Sequence, residues 1–184
     1  MKQFRIVIVP GWRDSAAGHW QTLWEERMPG AQRVVQDDWV SPTRADWVGA
    51  LTKLVLEGDE PVVISAHSLG CITVAHLPPE AAAKVQGALL VALADPERRA
   101  VLHDFAPVPY AALPYRSIVV ASSNDPFCAV RLAGAYARAW GSEFVRMQNA
   151  GHINTDSGHG PWPLGLALFQ SLRSMYSEEL LATS

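Results

Sequence analysis

Three short motifs hold residues that could transfer an acyl group: Ala66-His67-Ser68-Leu69-Gly70, Ser122-Ser123-Asn124-Asp125-Pro126 and Ala150-Gly151-His152-Ile153-Asn154. A serine hydroxyl is a weak nucleophile until a base takes its proton. Imidazole suits that task, and a carboxylate on its other nitrogen fixes the tautomer and stabilises the imidazolium. Ser68 has small residues two positions away on both sides. A sharp strand-to-helix turn needs this, because the two backbones pass close there. Glycine is the usual residue at the first of these positions; Ala66 is the next smallest choice. Taken singly, each motif has a simpler explanation. Ser68 could be a plain N-cap, Asp125-Pro126 an Asx-turn that opens a helix, and His152 a surface residue. Taken together, in the order Ser, Asp, His, they point to one site.

Such residues must be positioned by strand ends, and the hydrophobic pattern supplies them. Short apolar, β-branched runs alternate with helical periodicities, the signature of a parallel sheet with helical crossovers. Strands are expected at 5–9, 33–35, 62–65, 89–93, 117–121 and around Phe144 and Val145. Helices are expected at 19–28, from Ser41-Pro42 to about 57, at 69–76, 127–140 and 162–176. The predicted architecture is α/β: a three-layer, doubly wound, mainly parallel sheet of six strands. In such sheets ligands bind at the carboxyl ends of the strands, and all three motifs directly follow predicted strands. Their chain order is that of α/β-hydrolase triads and differs from the chymotrypsin and subtilisin orders. The loop after the first strand, Pro10-Gly11-Trp12, stands where such a fold draws one oxyanion donor. The backbone N–H groups of Trp12 and Leu69 are the candidates.

Composition narrows the field. The chain has 184 residues, 49% hydrophobic and 18% charged, which fits a globular protein. Its formal charge of -3 leaves no basic footprint for nucleic acid or acidic lipid. Two cysteines, Cys71 and Cys128, cannot organise a disulfide framework or a cysteine zinc site. The apolar run before Pro10 is too short for a signal core or a membrane span. A cytoplasmic, reduced, soluble protein is expected, with residues 1–184 forming one domain.

The combined motifs resemble the small serine hydrolases typified by retinoblastoma-binding protein 9 and its bacterial YdeN-type relatives. The resemblance runs from Pro10-Gly11-Trp12, Ser15 and His19-Trp20-Gln21 through Asp38-Trp39 and Ala66-His67-Ser68-Leu69-Gly70-Cys71. It continues through Ser123-Asn124-Asp125-Pro126 and Gly151-His152-Ile153-Asn154 to Ser157-Gly158-His159-Gly160-Pro161-Trp162-Pro163. It implies an α/β-hydrolase fold without a large cap and a triad of Ser68, Asp125 and His152. It does not imply a pocket-protein partner. The Leu-x-Cys-x-Glu ligand after which the animal member is named reads Leu69-Gly70-Cys71-Ile72-Thr73 here.

The segment 95–115 carries four prolines and falls where larger α/β-hydrolases insert a cap, so a short lid-like stretch is expected. Its Phe105 and Tyr110, with Trp12 and Trp162, could line an apolar acyl pocket. His152, Asp156 and His159, with Asp125, match no standard zinc spacing. Neither metal nor cofactor is expected. His67 is read as packing beside the nucleophile and His19 as capping the first helix.

The expected function is hydrolysis of an ester or amide bond in a small acyl substrate through an acyl-enzyme. Activity would fall on acidification as the imidazole protonates. Two alternatives remain at this stage: an acyltransferase, and a non-catalytic interaction module on a hydrolase fold.

Overall fold

The computed structural model describes residues 4–182. Residues 1–3, which the sequence places ahead of the first strand, lie outside the described residues. Six strands form one parallel sheet: β1 (Arg5–Val9), β2 (Ala31–Arg33), β3 (Val62–His67), β4 (Val85–Val91), β5 (Arg116–Ser122) and β6 (Glu143–Met147). Their spatial order is β2-β1-β3-β4-β5-β6, and every neighbouring pair is parallel. The crossovers carry α1 (Trp20–Arg27), α2 (Arg44–Leu56), α3 (Leu69–Ala75), the single turn α4 (Pro79–Ala82) and α5 (Val130–Trp140), and α6 (Pro163–Ala182) follows the last strand.

The strands read as continuous apolar runs because both sheet faces are covered. Alternation then sorts their side chains between two cores. Val7, Val9, Ile64, Leu90 and Val119 pack with Trp47 and Leu51 of α2, Ile72 of α3 and Trp140 of α5. Ile6, Ile8, Val63, Leu89 and Val120 pack on the other face with Trp20 and Trp24 of α1 and Phe169 and Leu172 of α6. The result is the expected three-layer arrangement. No helix among the described residues is long and apolar enough to cross a membrane.

Several boundaries differ from expectation, each for a local reason. The second strand is Ala31–Arg33 and not 33–35; beyond it Val34 still bonds the Ile8 carbonyl, but Val35 turns out to solvent. Thr43 caps α2 in place of Ser41, because its Oγ1 accepts the Asp46 N–H at 3.2 Å. Helix α5 starts at Val130, three residues late; the Asp125 carboxylate takes the Phe127 N–H in an isolated Asx-turn, and the chain is extended again at Ala129 before the helix begins. Pro79 opens the short α4 where a helix stop alone was expected. The segment 95–115 forms two 3₁₀ turns, Pro96–Arg98 and Ala100–Phe105, and sinks Leu102, Phe105 and Val108 into the core beside α2 and α5.

One contact fixes where the site forms. At Gly70, in the first turn of α3, a Cβ would collide with the carbonyl oxygens of Val9 and Pro10 at the end of β1. Both obstacles are backbone atoms in a buried region and cannot rotate away. Gly70→Ala is therefore expected to destabilise the fold by at least about 1–3 kcal/mol, the usual range for overpacking. Thermal denaturation of the purified variant measures this; an unchanged melting temperature would contradict the close approach.

Candidate active site

Ser68 sits between β3 and α3. Its N–H still bonds the Val91 carbonyl at 2.9 Å, extending the β3–β4 ladder by one step. Its backbone then breaks away, at φ 56 and ψ -122. A non-glycine residue there is strained, by about 1–3 kcal/mol, and such strain gathers at functional sites. The turn leaves the hydroxyl half-buried at the carboxyl end of the sheet.

Asp125 follows β5 and His152 follows β6. Both oxygens of the buried Asp125 carboxylate lie near His152 Nδ1, at 3.0 and 2.9 Å. A carboxylate only accepts, so Nδ1 carries the proton. Nε2 is then a bare acceptor, and it stands 2.9 Å from Ser68 Oγ. The arrangement can move the serine proton onto the imidazole while the carboxylate holds the ring. The Asx-turn reading of Asp125 also holds, since Oδ1 accepts the Phe127 N–H at 2.9 Å. The Phe127 ring packs on His152 with centroids 4.4 Å apart.

The backbone N–H groups of Trp12 and Leu69 have no hydrogen-bond acceptor among the described residues. Gly11 brings them close to the serine: a Cβ there would lie 2.7 Å from Ser68 Cβ and 3.4 Å from Leu69 N. Trp12 is held by its indole N–H, which donates to the Val40 carbonyl at 2.8 Å.

Sequence reasoning missed the residues that join the acid and histidine loops. Ser122 Oγ accepts the Ala150 N–H at 2.8 Å, Ser123 Oγ the Asn149 N–H at 2.9 Å and Asn124 Oδ1 the Gly151 N–H at 2.8 Å. The signal was the polar run 122–124 directly after a buried strand, which β-propensity alone leaves unexplained.

Two further imidazoles support the site. His67 Nε2 donates to the His152 carbonyl at 2.9 Å, pinning the histidine loop from below. His19 caps α1, its Nδ1 accepting the Gln21 N–H at 3.1 Å. The rings of His19, His67 and His152 run in series with 4.8 Å between successive centroids. Burial holds His67 well below the ordinary histidine value, helped by its imidazole neighbours. Burial, and then the Arg33 charge, lowers His19 to about 4.

A cleft of about 490 Å³ opens over Ser68 and His152, lined also by Gly11, Trp12, Arg99 and Phe127. Of the four aromatic residues expected in an acyl pocket, only Trp12 lines it. Phe105 is fully buried against Trp47, because the 3₁₀ turn before it points the ring into the core. Trp162 is buried among Trp20 and Trp24 on the α1–α6 face. Tyr110 is exposed and borders a larger cavity of about 910 Å³ against α5 and β6, which shares no lining residue with the cleft. Loop position alone did not encode side-chain direction.

The all-parallel sheet, the serine on a strained strand-to-helix turn and the absence of a large cap make this an α/β-hydrolase fold of minimal size. The serine hydrolase family matches residues 6–171, and the chain belongs to that family. It is 34% identical to a YdeN-like hydrolase from Pectobacterium atrosepticum, over 94% of this chain and 92% of that one, with a TM-score of 0.85. The ydeN gene product of Bacillus subtilis has the same fold at 22% identity, with coverage of 94% and 100% and a TM-score of 0.76. Esterase 2 of Thermogutta terrifontis shares the fold at 16% identity, with coverage of 100% and 84% and a TM-score of 0.64. No functionally curated protein matches the chain significantly.

Two expectations follow from this placement. Phe105→Ala should destabilise the protein by about 3–5 kcal/mol, as for other buried aromatic truncations; equilibrium urea unfolding tests this. The second concerns acid. His19 stays neutral in the fold down to about pH 4, while its unfolded counterpart protonates near pH 6.5. The unfolded chain thus binds more protons across that window, so stability is complete above about pH 6.5 and falls toward pH 4. His19 contributes on the order of 3 kcal/mol to this loss, and His67 adds in the same direction. The melting temperature should drop by several degrees between pH 7 and 5. His19→Asn, which keeps a capping oxygen but does not ionise, should blunt the drop; an equal drop in the variant would contradict the assignment.

Proposed function

We infer that this serine hydrolase cleaves esters of small acyl substrates through an acyl-enzyme at Ser68. The observation that carries the reading is the continuous chain from Asp125 through His152 to Ser68 Oγ, with each link at 2.9–3.0 Å. That the T. terrifontis neighbour is an esterase makes esters the first substrate class to test.

The sequence of events follows from the donors and acceptors. Ser68 Oγ attacks the carbonyl carbon as its proton passes to His152 Nε2. The carbonyl oxygen becomes an oxyanion, met by the free N–H groups of Trp12 and Leu69. The imidazolium is stabilised by Asp125. As the tetrahedral intermediate collapses, the bond to the leaving alkoxide breaks and His152 returns its proton to it. Water then enters, gives a proton to His152 and attacks the acyl-serine; the acid departs and Ser68 regains its proton. No step calls for a metal or cofactor. The cleft supports a small-molecule substrate by its size, within the usual range of ligand pockets.

A fluorophosphonate should add once to the wild-type protein at pH about 8, as read by intact mass, and not to Ser68→Ala. The same substitution should lower turnover of p-nitrophenyl butyrate by at least about a thousandfold, because triad members act as a unit. The choice of probe has a precedent in the T. terrifontis esterase, which has been solved phosphorylated by paraoxon. A folded wild-type protein that takes no adduct and turns over no ester would overturn the reading.

A further inference from the structure

Two arginines stand at the cleft with nothing in the acyl-transfer scheme to do. Arg13 places its guanidinium carbon 4.4 Å from the centre of the Trp12 ring. Arg99 places its own 5.6 Å from Trp12 and 4.8 Å from Phe127. Both arginines line the cleft together with Ser68 and His152. Phe127 in turn packs on His152, so one ring touches both Arg99 and the imidazole.

Two other arginines near this end of the sheet are occupied. Arg33 pairs with Asp14 and Glu25 at 2.7 Å each, and Arg98 pairs with Asp95 at 3.6 Å and donates to the Pro126 carbonyl at 2.9 Å. Arg13 and Arg99 meet no carboxylate among the described residues. Of the two acidic residues in the cleft lining, Asp14 is already engaged by Arg33, and Asp156 lies on the histidine loop beyond Asn154. Stacking on an aromatic face holds a guanidinium plane while leaving its N–H edge free, and that edge matches a carboxylate fork to fork.

The backbone at Arg13 sharpens the point. Arg13 and Asp14 both adopt positive φ, 68 and 63, where glycine would be the less strained choice. The Arg13 N–H is tied to the Trp39 carbonyl at 3.0 Å, which fixes the loop in that shape. An orphan side-chain donor lies in the same cleft. His19 accepts at Nδ1, so its neutral ring carries the proton on Nε2, and that buried Nε2–H has no partner. The side chain is only 4% exposed, yet it belongs to the cleft wall. The cleft thus offers donors and positive charge in excess of what the protein itself uses.

We propose that Arg13 and Arg99 form a carboxylate subsite, and that the substrates are esters bearing a second, ionised carboxylate a few carbons from the scissile carbonyl. The proposal rests on the hydrolase reading and adds a substrate class to it. Trp12 and Phe127 carry the apolar stretch between the two groups, and the guanidinium edges receive the anion. The subsite binds the carboxylate on the acyl side or on the alcohol side of the ester, and the test separates these.

The experiment compares kcat/KM for matched pairs with the full chain. On the acyl side, p-nitrophenyl hemiglutarate is set against p-nitrophenyl valerate, which differ in a terminal carboxylate or methyl. On the alcohol side, carboxymethyl butyrate is set against ethyl butyrate, read by released butyrate. The charged ester should be preferred at least about tenfold in one pair, the range expected of a hydrogen bond to a charged group. Arg13→Gln and Arg99→Gln should each reduce that ratio by about tenfold, and Arg131→Gln, on the far side of α5, should leave it unchanged. The preference should also shrink as salt rises from 0.05 to 0.5 M, because Arg13 and Arg99 are both exposed. Turnover of the neutral esters with no preference in either pair, or a preference that survives both arginine substitutions, overturns the subsite alone. Turnover of none of the four esters, together with no phosphonate adduct at Ser68, overturns the hydrolase reading and the subsite with it.

Discussion

The approach of two backbones governs this structure. The end of β1 and the start of α3 touch main chain to main chain, with Gly70 against the carbonyls of Val9 and Pro10, and Gly11 against Ser68 and the His67 carbonyl. Side chains at either glycine would force the layers apart. Because they are absent, the chain can turn sharply at Ser68 and still place a helix over the sheet. The turn strains Ser68, and the burial of Leu69, Cys71 and Ile72 immediately afterwards holds it there. The N–H groups of Trp12 and Leu69, without acceptors among the described residues, meet at the same contact; that of Leu69 is left open because it opens α3 with no side-chain cap. Ser68 and the candidate oxyanion donors are thus products of a single packing decision.

The other two site residues are held by a different device. Asp125 and His152 sit on adjacent loops after β5 and β6, and three side chains from 122–124 accept backbone N–H groups of 149–151. His67 holds the same loop through the His152 carbonyl, and the Trp20 indole N–H holds the next carbonyl, that of Ile153, at 2.9 Å. The imidazole is therefore fixed from its ring and from its backbone. Preorganised dipoles of this kind cost no rearrangement when charge develops.

Much of this was legible in the chain. The order and motif context of Ser68, Asp125 and His152 pointed to three loops that the fold brings together, because a parallel sheet puts all strand carboxyl ends on one edge. Strand cores were readable from continuous apolar runs, since both faces are buried. What the chain did not disclose depends on direction in space. Phe105 and Tyr110 lie in one irregular segment, yet one ring is at the centre of the core and the other is in solvent. Nothing in hydrophobicity or spacing separates them. Likewise Ser122, Ser123 and Asn124 look like ordinary turn residues until β6 brings the residues after it alongside. The start of α2 slipped because Ser41 and Thr43 are both capable caps and Thr43 takes the role, whereas α5 begins at Val130 after Ala129 with no side-chain cap at all.

Cys71 lies three residues after Ser68 and is fully buried, its thiol donating to the Val91 carbonyl at 3.4 Å. Burial pushes its ionisation far up, and pushes Cys128 up to about 12. Oxidants and soft electrophiles act on thiolates, and neither cysteine supplies one near neutral pH. Although a sulfur atom sits within one helical turn of Ser68, its burial shields it from oxidants in the surroundings. At this end of the sheet the half-buried Ser68 hydroxyl, and not a thiol, is the group open to an electrophile.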